Sequence, residues 1–238
     1  MDAKKRFACA LVLAFACGLL FVPTASAQKN RTKRLNDAER RSARAARGFN
    51  EIMAVRESGI PRNLLDRAEA IAVFPGVIKA AFIIGGRGGQ GVISRRVRGG
   101  WSAPAFFNLG GGSVGLQIGA SKTDYVMLIM NDEGVRGLME DKFELGGEAG
   151  VAAGPVGREA AASTNITLDA GILSYSRSKG LFAGVALKGA VINPDNDLNE
   201  AVYEGKKASQ VLEQERDVNE MPAEVRAFPV TLSRYSRK

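Results

Sequence analysis

The chain has 238 residues, 45% of them hydrophobic, and its 33 basic against 25 acidic residues give a net charge of +8. It contains no histidine and only two cysteines, Cys9 and Cys17, both near the N-terminus. That removes the usual general base and the commonest metal ligand, and leaves no thiol for a disulfide or a structural zinc site in the body of the chain.

The first residues read as an export signal. Lys4, Lys5 and Arg6 precede a nearly continuous apolar run over 7–22, Pro23 breaks it, and Ala25-Ser26-Ala27 supplies a small-x-small cleavage pattern. This predicts a signal peptide over 1–27 and an exported protein, periplasmic or extracellular. What remains is enough for one well-buried domain. Its charge is uneven. Residues 28–47 carry Lys29, Arg31, Lys33, Arg34, Arg40, Arg41, Arg44 and Arg47 against Asp37 and Glu39, while 48–238 sum to zero. A neutral body with a basic arm, or a basic start to the first helix, is expected to meet anions through that arm.

Residues 35–58 predict a helix capped by Asn36 or Asp37, apolar near its end at Phe49, Ile52, Met53 and Val55, and stopped by Gly59. Such a helix either docks on the body through those apolar residues or lies in a membrane interface with its cations outward. PRNLLDRAE predicts a second, short helix opened by Pro61. From Ala70 the texture becomes strand-like: AIAVF stopped by Pro75-Gly76, then AAFIIGG, GVISRRV, WSAPAFFNL, VGLQIGA, YVMLIMN and KFELGG, and later NITLDAGILSYSRS and LFAGVALKGAVI. The runs are short and bounded by glycine, with too little chain between them for crossover helices, so they predict an antiparallel sheet. Trp101, Phe106 and Phe107 are expected in its core. Asn131-Asp132-Glu133-Gly134 predicts a turn, followed by a turn or two of helix. Near the end Asp197, with Glu200 three residues on, is expected to cap a helix. KKASQVLEQE continues helical, and after MPAEV the chain is expected to fray at Pro229 into a basic tail.

Several stretches spell catalytic motifs and fail on context. Gly86-x-Gly88-x-x-Gly91 matches the dinucleotide fingerprint, but a strand-like run follows instead of a helix, and no acidic residue stands about 20 positions on. GGRGGQG is better read as a hairpin connection with Arg87 at its tip and Arg95, Arg96 and Arg98 on the return. Gly111-Gly112-Ser113-Val114-Gly115 fits a nucleophile elbow, which needs a histidine the chain lacks. Tyr175-x-x-x-Lys179 and Ser176-x-x-Lys179 need a helix, whereas the local period is two and a turn is expected near Ser178-Lys179-Gly180. Asp195-x-Asp197-x-Asn199 opens like a calcium loop but has Glu200 and Lys206 where Gly and Glu belong.

AIAVFPGVIKA, SAPAFFNLGGGSVGLQIGASKTDYVMLIMN, FELGGEAGVAAGPVGR and ILSYSRSKGLFAGVALKGAVINPDN, in that order, resemble the SYLF domain family in its secreted bacterial form, over about residues 35 to 205. The resemblance implies an α+β fold: a single domain, here 48–238, with a glycine-rich, mainly antiparallel curved sheet or barrel-like core flanked by N- and C-terminal helices. It implies no catalytic chemistry, metal or cofactor. It points to lipid binding, with actin regulation in fungal relatives that an exported protein would not share. The candidate lipid contacts are Lys29, Arg31, Lys33, Arg34, Arg40, Arg41, Arg44, Arg47, Arg87, Arg95 and Arg96. The expected partner is an anionic lipid or membrane surface. The alternative is a protein partner or self-association in the cell envelope. No nucleic-acid motif is present.

Overall fold

The computed structural model describes residues 25–55, 59–81, 84–114, 119–147, 149–157, 170–215 and 217–236. Most of the expected signal segment, the middle of VGLQIGA and the start of NITLDAGILSYSRS lie outside these residues. The chain divides into two compact units at Lys33/Arg34, and the sheet belongs to the second.

Ten strands form this sheet: β1 (Ala70–Ala81), β2 (Ile84–Val97), β3 (Gly100–Trp101), β4 (Ala105–Val114), β5 (Gly119–Ile129), β6 (Phe143–Glu144), β7 (Val151–Ala153), β8 (Ile172–Ser178), β9 (Leu181–Gly184) and β10 (Val191–Pro194). Their order is β6-β10-β4-β2-β1-β5-β8-β7, with β3 added to β2 and β9 to β8. The pairs are antiparallel, as the short connections predicted, except that β7 runs parallel to β8. The two ends of the order are consecutive in sequence. Laid flat, eight strands span about 34 Å, whereas the chain from Glu144 to Val151 reaches about 25 Å at most. The sheet therefore curls into an open half-barrel.

Among the described residues six α-helices accompany the sheet: α1 (Ala25–Met53), α2 (Arg62–Arg67), α3 (Asp132–Leu138), α4 (Asn196–Val202), α5 (Ala208–Glu213) and α6 (Ala227–Tyr235). Within the second unit α1 buries Ala38, Ser42, Ala45, Phe49 and Ile52, and Phe49 meets Tyr235 of α6 edge to face at 5.8 Å. The Ser42 hydroxyl donates to the Val225 carbonyl at 2.7 Å and accepts from the Phe228 amide at 3.2 Å, tying α1 to the C-terminal helices. Ala70 through Phe74 of β1 are all buried, so both faces of the sheet are covered there. Beyond Val77 the cover ends: Ile78, Lys79 and Ala80 are consecutive and exposed.

Five local expectations are corrected. α1 starts before Asn36 and ends at Met53; Asp37, which would have capped it, instead pairs with Arg40 and Arg41 one turn on. Pro75-Gly76 does not stop β1. It forms a bulge that shifts the register against both β2 and β5, a place where a residue without an N–H leaves no ladder bond unmade. GGRGGQG is interior strand: Gly85 through Gly91 pair with β4 from Ser113 back to Phe107, so Arg87 stands mid-strand. Asp195, not Asp197, caps α4, its carboxylate accepting from the Leu198 amide. Pro229 lies in the first turn of α6, where a helix has no N–H to lose. The C-terminus is docked there, with Phe228 and Leu232 fully buried and the Trp101 indole donating to the Ser236 hydroxyl at 2.9 Å.

Other expectations hold. Trp101, Phe106 and Phe107 are core. Lys179 and Gly180, at φ 50° and 82°, make the two-residue turn between β8 and β9. Asn199 explains the end of the calcium-like cluster. It is fully buried; its side chain accepts from the Phe106 amide at 2.8 Å and donates to the Phe106 carbonyl at 3.0 Å. Asn199→Ala strands that amide, and is expected to lower stability by about 2–3 kcal/mol in urea unfolding. A loss well under 1 kcal/mol would show that the bridge is dispensable.

Candidate functional site

The cations of α1 sort by helical position. Lys29, Arg31 and Lys33 are exposed on the first unit. On the second, Arg34, Arg40, Arg44 and Arg47 are exposed, whereas Arg41 is turned inward at 7% exposure. Arg41 is held between Asp37, at 2.9 Å, and Asp195, at 2.8 Å. It is neutralised inside the fold, so it joins α1 to α4 rather than facing a ligand. Arg34 donates to the Asp197 carbonyl at 2.9 Å.

Arg44 and Arg47 open onto a shallow cleft of roughly 180 Å³ where α1 passes the β1 bulge, lined also by Gly48, Glu51, Pro75, Gly76, Lys122 and Asp124. Gly76 sits at φ 65°, a left-handed conformation that favours glycine. Its amide donates to Asp124 Oδ1 at 2.7 Å, and Arg44 Nη2 donates to the Pro75 carbonyl at 3.2 Å. A Cβ on Gly76 would lie 2.5 Å from Lys122 Cε and 3.2 Å from Arg44 Nη2. The Lys122 stem and an Arg44 nitrogen thus both pack over one glycine. The carboxylates of the cleft are engaged elsewhere: Arg177 pairs with Glu51, and with Asp124 at 3.6 Å.

The other predicted cations scatter. Arg96 is half-buried, donates to the Ala68 and Leu65 carbonyls and stacks on Trp101 at 4.4 Å; burial lowers its pKa, opposed by Asp66 and Glu69. It is a packing residue. Arg95 is half-buried on β2. Arg87 lies directly across from Lys79 on β1, and its buried Nε has no acceptor. The cleft thus gathers Arg44 and Arg47 from the predicted set and adds Lys122, Glu51 and Asp124, which sequence reasoning missed, with Arg177 pairing both carboxylates from beside it. The one available signal was Pro75-Gly76 inside an apolar run.

The catalytic spellings do not assemble. Gly86-x-Gly88-x-x-Gly91 is continuous strand with no helix after it, and Ser113 belongs to β4 rather than to a strand-to-helix turn. Lys179 is exposed in a turn, while Tyr175 is fully buried in β8, stacked on Phe182 at 5.6 Å and donating to the Pro155 carbonyl at 3.3 Å. Among the described residues no three carboxylates are grouped to hold a metal ion.

A family model described as Ysc84, Las17-binding protein actin regulator, matches residues 110–235. Protein YSC84 of Saccharomyces cerevisiae is 36% identical over 185 residues, covering 75% of this chain and 39% of YSC84. LAS seventeen-binding protein 3 of the same yeast is 39% identical over 148 residues, 60% of this chain and 32% of that protein. SH3 domain-containing YSC84-like protein 1 of Xenopus laevis is 32% identical over 173 residues, 71% of this chain and 51% of that protein. The chain thus spans about a third to a half of the length of the relatives it matches.

Burial also pushes the Tyr175 phenol far above its ordinary range. A group raised in the folded state contributes its full stability below the unfolded value, about 10 for tyrosine, and loses it as the pH climbs beyond. The tyrosinate absorbance of the folded protein at about pH 11 should therefore be the same in Tyr175→Phe as in the parent, the two diverging only on unfolding. An early difference would mean that the phenol reaches solvent.

Proposed function

The chain belongs to the Ysc84/SYLF domain family, and from that premise we propose that it is an exported, non-catalytic module that holds to anionic lipid surfaces through the outward cations of α1. The observation that carries this reading is the partition of α1. Seven of its eight predicted cations are exposed, and the one turned inward is the one that two carboxylates neutralise. Each surface cation near an anionic leaflet contributes about 1 kcal/mol.

The structure changes the mode of contact expected from the sequence. Phe49 and Ile52 are fully buried, so the apolar side of the helix is committed to the core and is not free to enter a membrane interface. Contact by this helix is peripheral and electrostatic, and should weaken steeply with salt. Export, expected from residues 1–27, would separate the chain from cytoplasmic actin, which favours lipid over actin as partner.

A protein partner is the second reading. One relative is named for binding LAS seventeen. Among the described residues, β10 pairs β4 only between Phe107 and Gly110, and β8 pairs β5 only from Asp124 on. Among the described residues Gly111–Val114 and Gly119–Thr123 therefore have no second strand partner, though the Ser178 hydroxyl donates to the Lys122 carbonyl, and unpaired edges accept strands.

The test is co-sedimentation of the full chain with vesicles of phosphatidylglycerol and phosphatidylcholine, and with phosphatidylcholine alone. Neutralising exposed positions as Lys29→Gln, Arg31→Gln, Lys33→Gln and Arg40→Gln together is expected to weaken binding to the anionic vesicles at least tenfold, about 1.4 kcal/mol. Removing the whole arm up to residue 47 is not equivalent, because it also deletes buried Ala38, Arg41, Ser42 and Ala45. Equal binding to both vesicle types, or no loss in the variant, would refute the lipid reading and leave the protein-partner one.

A further inference from the structure

We propose that the cleft between α1 and the Pro75–Gly76 bulge is a discrete subsite for a phosphate group, held by Arg44, Arg47 and Lys122. This deepens the lipid reading and rests on it for the source of the phosphate in the cell, a lipid head group.

Five ionisable groups line the cleft: Arg44, Arg47, Lys122, Glu51 and Asp124. The two carboxylates face Arg177, which adjoins the cleft and pairs with both, and Asp124 also accepts from the Gly76 amide. Among the described residues Arg44 has one hydrogen-bond partner, the uncharged Pro75 carbonyl. Among the described residues Arg47 and Lys122 form no ion pair. The capacity left over is therefore cationic, on a body whose net charge from residue 48 onward is zero.

Geometry then separates this cleft from an ordinary solvated patch. Surface cations normally spread apart, because like charges a few ångströms from each other repel even near solvent. Here Lys122 Cε and an Arg44 nitrogen close on the same point above Gly76, at 2.5 and 3.2 Å from where a Cβ would stand. The bulge makes this possible: it turns the backbone at a left-handed residue that favours glycine, so no side chain stands between Lys122 and Arg44. Arg47, one helical turn after Arg44, adds a third donor at the mouth. A tetrahedral dianion accepts from several donors at once, and Arg with Lys is a suitable donor set for it. Each water occupies about 30 Å³, so roughly 180 Å³ holds such an anion with part of its hydration. The cleft opens beside exposed Ile78, which pairs directly across from Lys122. A head group entering there would leave its glycerol and chains outside.

The experiment titrates the full chain with glycerol 3-phosphate and with inorganic phosphate, reading heat and the backbone amide resonances of Gly76 and Lys122, alongside the vesicle assay. Saturable binding near about 1 mM is expected. Lys122→Ala and Arg47→Gln should each weaken it about tenfold, Lys122→Arg should largely retain it, and Arg62→Gln, an exposed arginine on α2, should leave it unchanged. Thermal melting of each variant establishes that the loss is not unfolding. Absence of any shift at Gly76 and Lys122, or loss that is the same in Arg62→Gln, would overturn the subsite while leaving the α1 reading open to its own vesicle result. Phosphate binding without vesicle binding would support the subsite and assign its phosphate to a soluble source, refuting the lipid reading instead.

Discussion

Because β6 and β7 are the ends of the sheet order and yet only six residues apart in the chain, the sheet has no flat solution, and the curl that results runs through the rest of the molecule. Curling crowds one face and opens the other. Along β2 the alternation is visible in the glycines. A Cβ on Gly91 would collide with the Phe74 ring, and one on Gly89 would sit 2.6 Å from Val77, whereas at Gly88, one register away, it would meet nothing. The crowded face needs glycine so that strands can close on one another. On the open face, no contact within the described chain requires glycine at Gly88, Gly110 or Gly112.

The curl also decides what α1 can do. Where both sheet faces are covered, α1 must present an apolar side inward, and its alanines, Phe49 and Ile52 supply it. An arginine-rich helix cannot bury that side without turning some arginine inward, and Arg41 is the one. Two carboxylates resolve it, one from α1 itself and one that caps α4. Removing either would leave a buried charge half compensated, the costly half of a buried ion pair. The same pair fixes which way the helix faces, so the outward position of Arg40, Arg44 and Arg47 follows from where Arg41 is pinned.

Much of this was legible in the sequence. Strand length, glycine spacing and missing crossover segments point to the antiparallel order, and the absence of histidine alone disposes of the serine motif. The turn at Lys179-Gly180 and the core aromatics were read correctly. The failures share a cause. Pro75-Gly76, GGRGGQG and Pro229 all look like punctuation locally, yet each lies inside an element because tertiary pairing offered a position where its defect costs little: a bulge, an interior strand of a curled sheet, a first helical turn. Asp197 was favoured because Glu200 follows three residues on, whereas the residue that caps α4, Asp195, is also held by Arg41 from 154 residues away.

The cleft was illegible for a different reason. Summed along the chain, residues 48–238 are neutral, which suggests that only the arm attracts anions. Neutrality of the sum says nothing about which charges cancel in space. Arg177 lies on β8, two strands from the bulge, and takes up Glu51 of α1 together with Asp124 of β5. Arg177 and Lys122 together balance those two carboxylates, so the excess positive charge of the cleft is that of Arg44 and Arg47, which α1 brings to the bulge. An ion pair between residues 126 apart thereby decides which charges at the cleft are taken up, and no window along the sequence contains both.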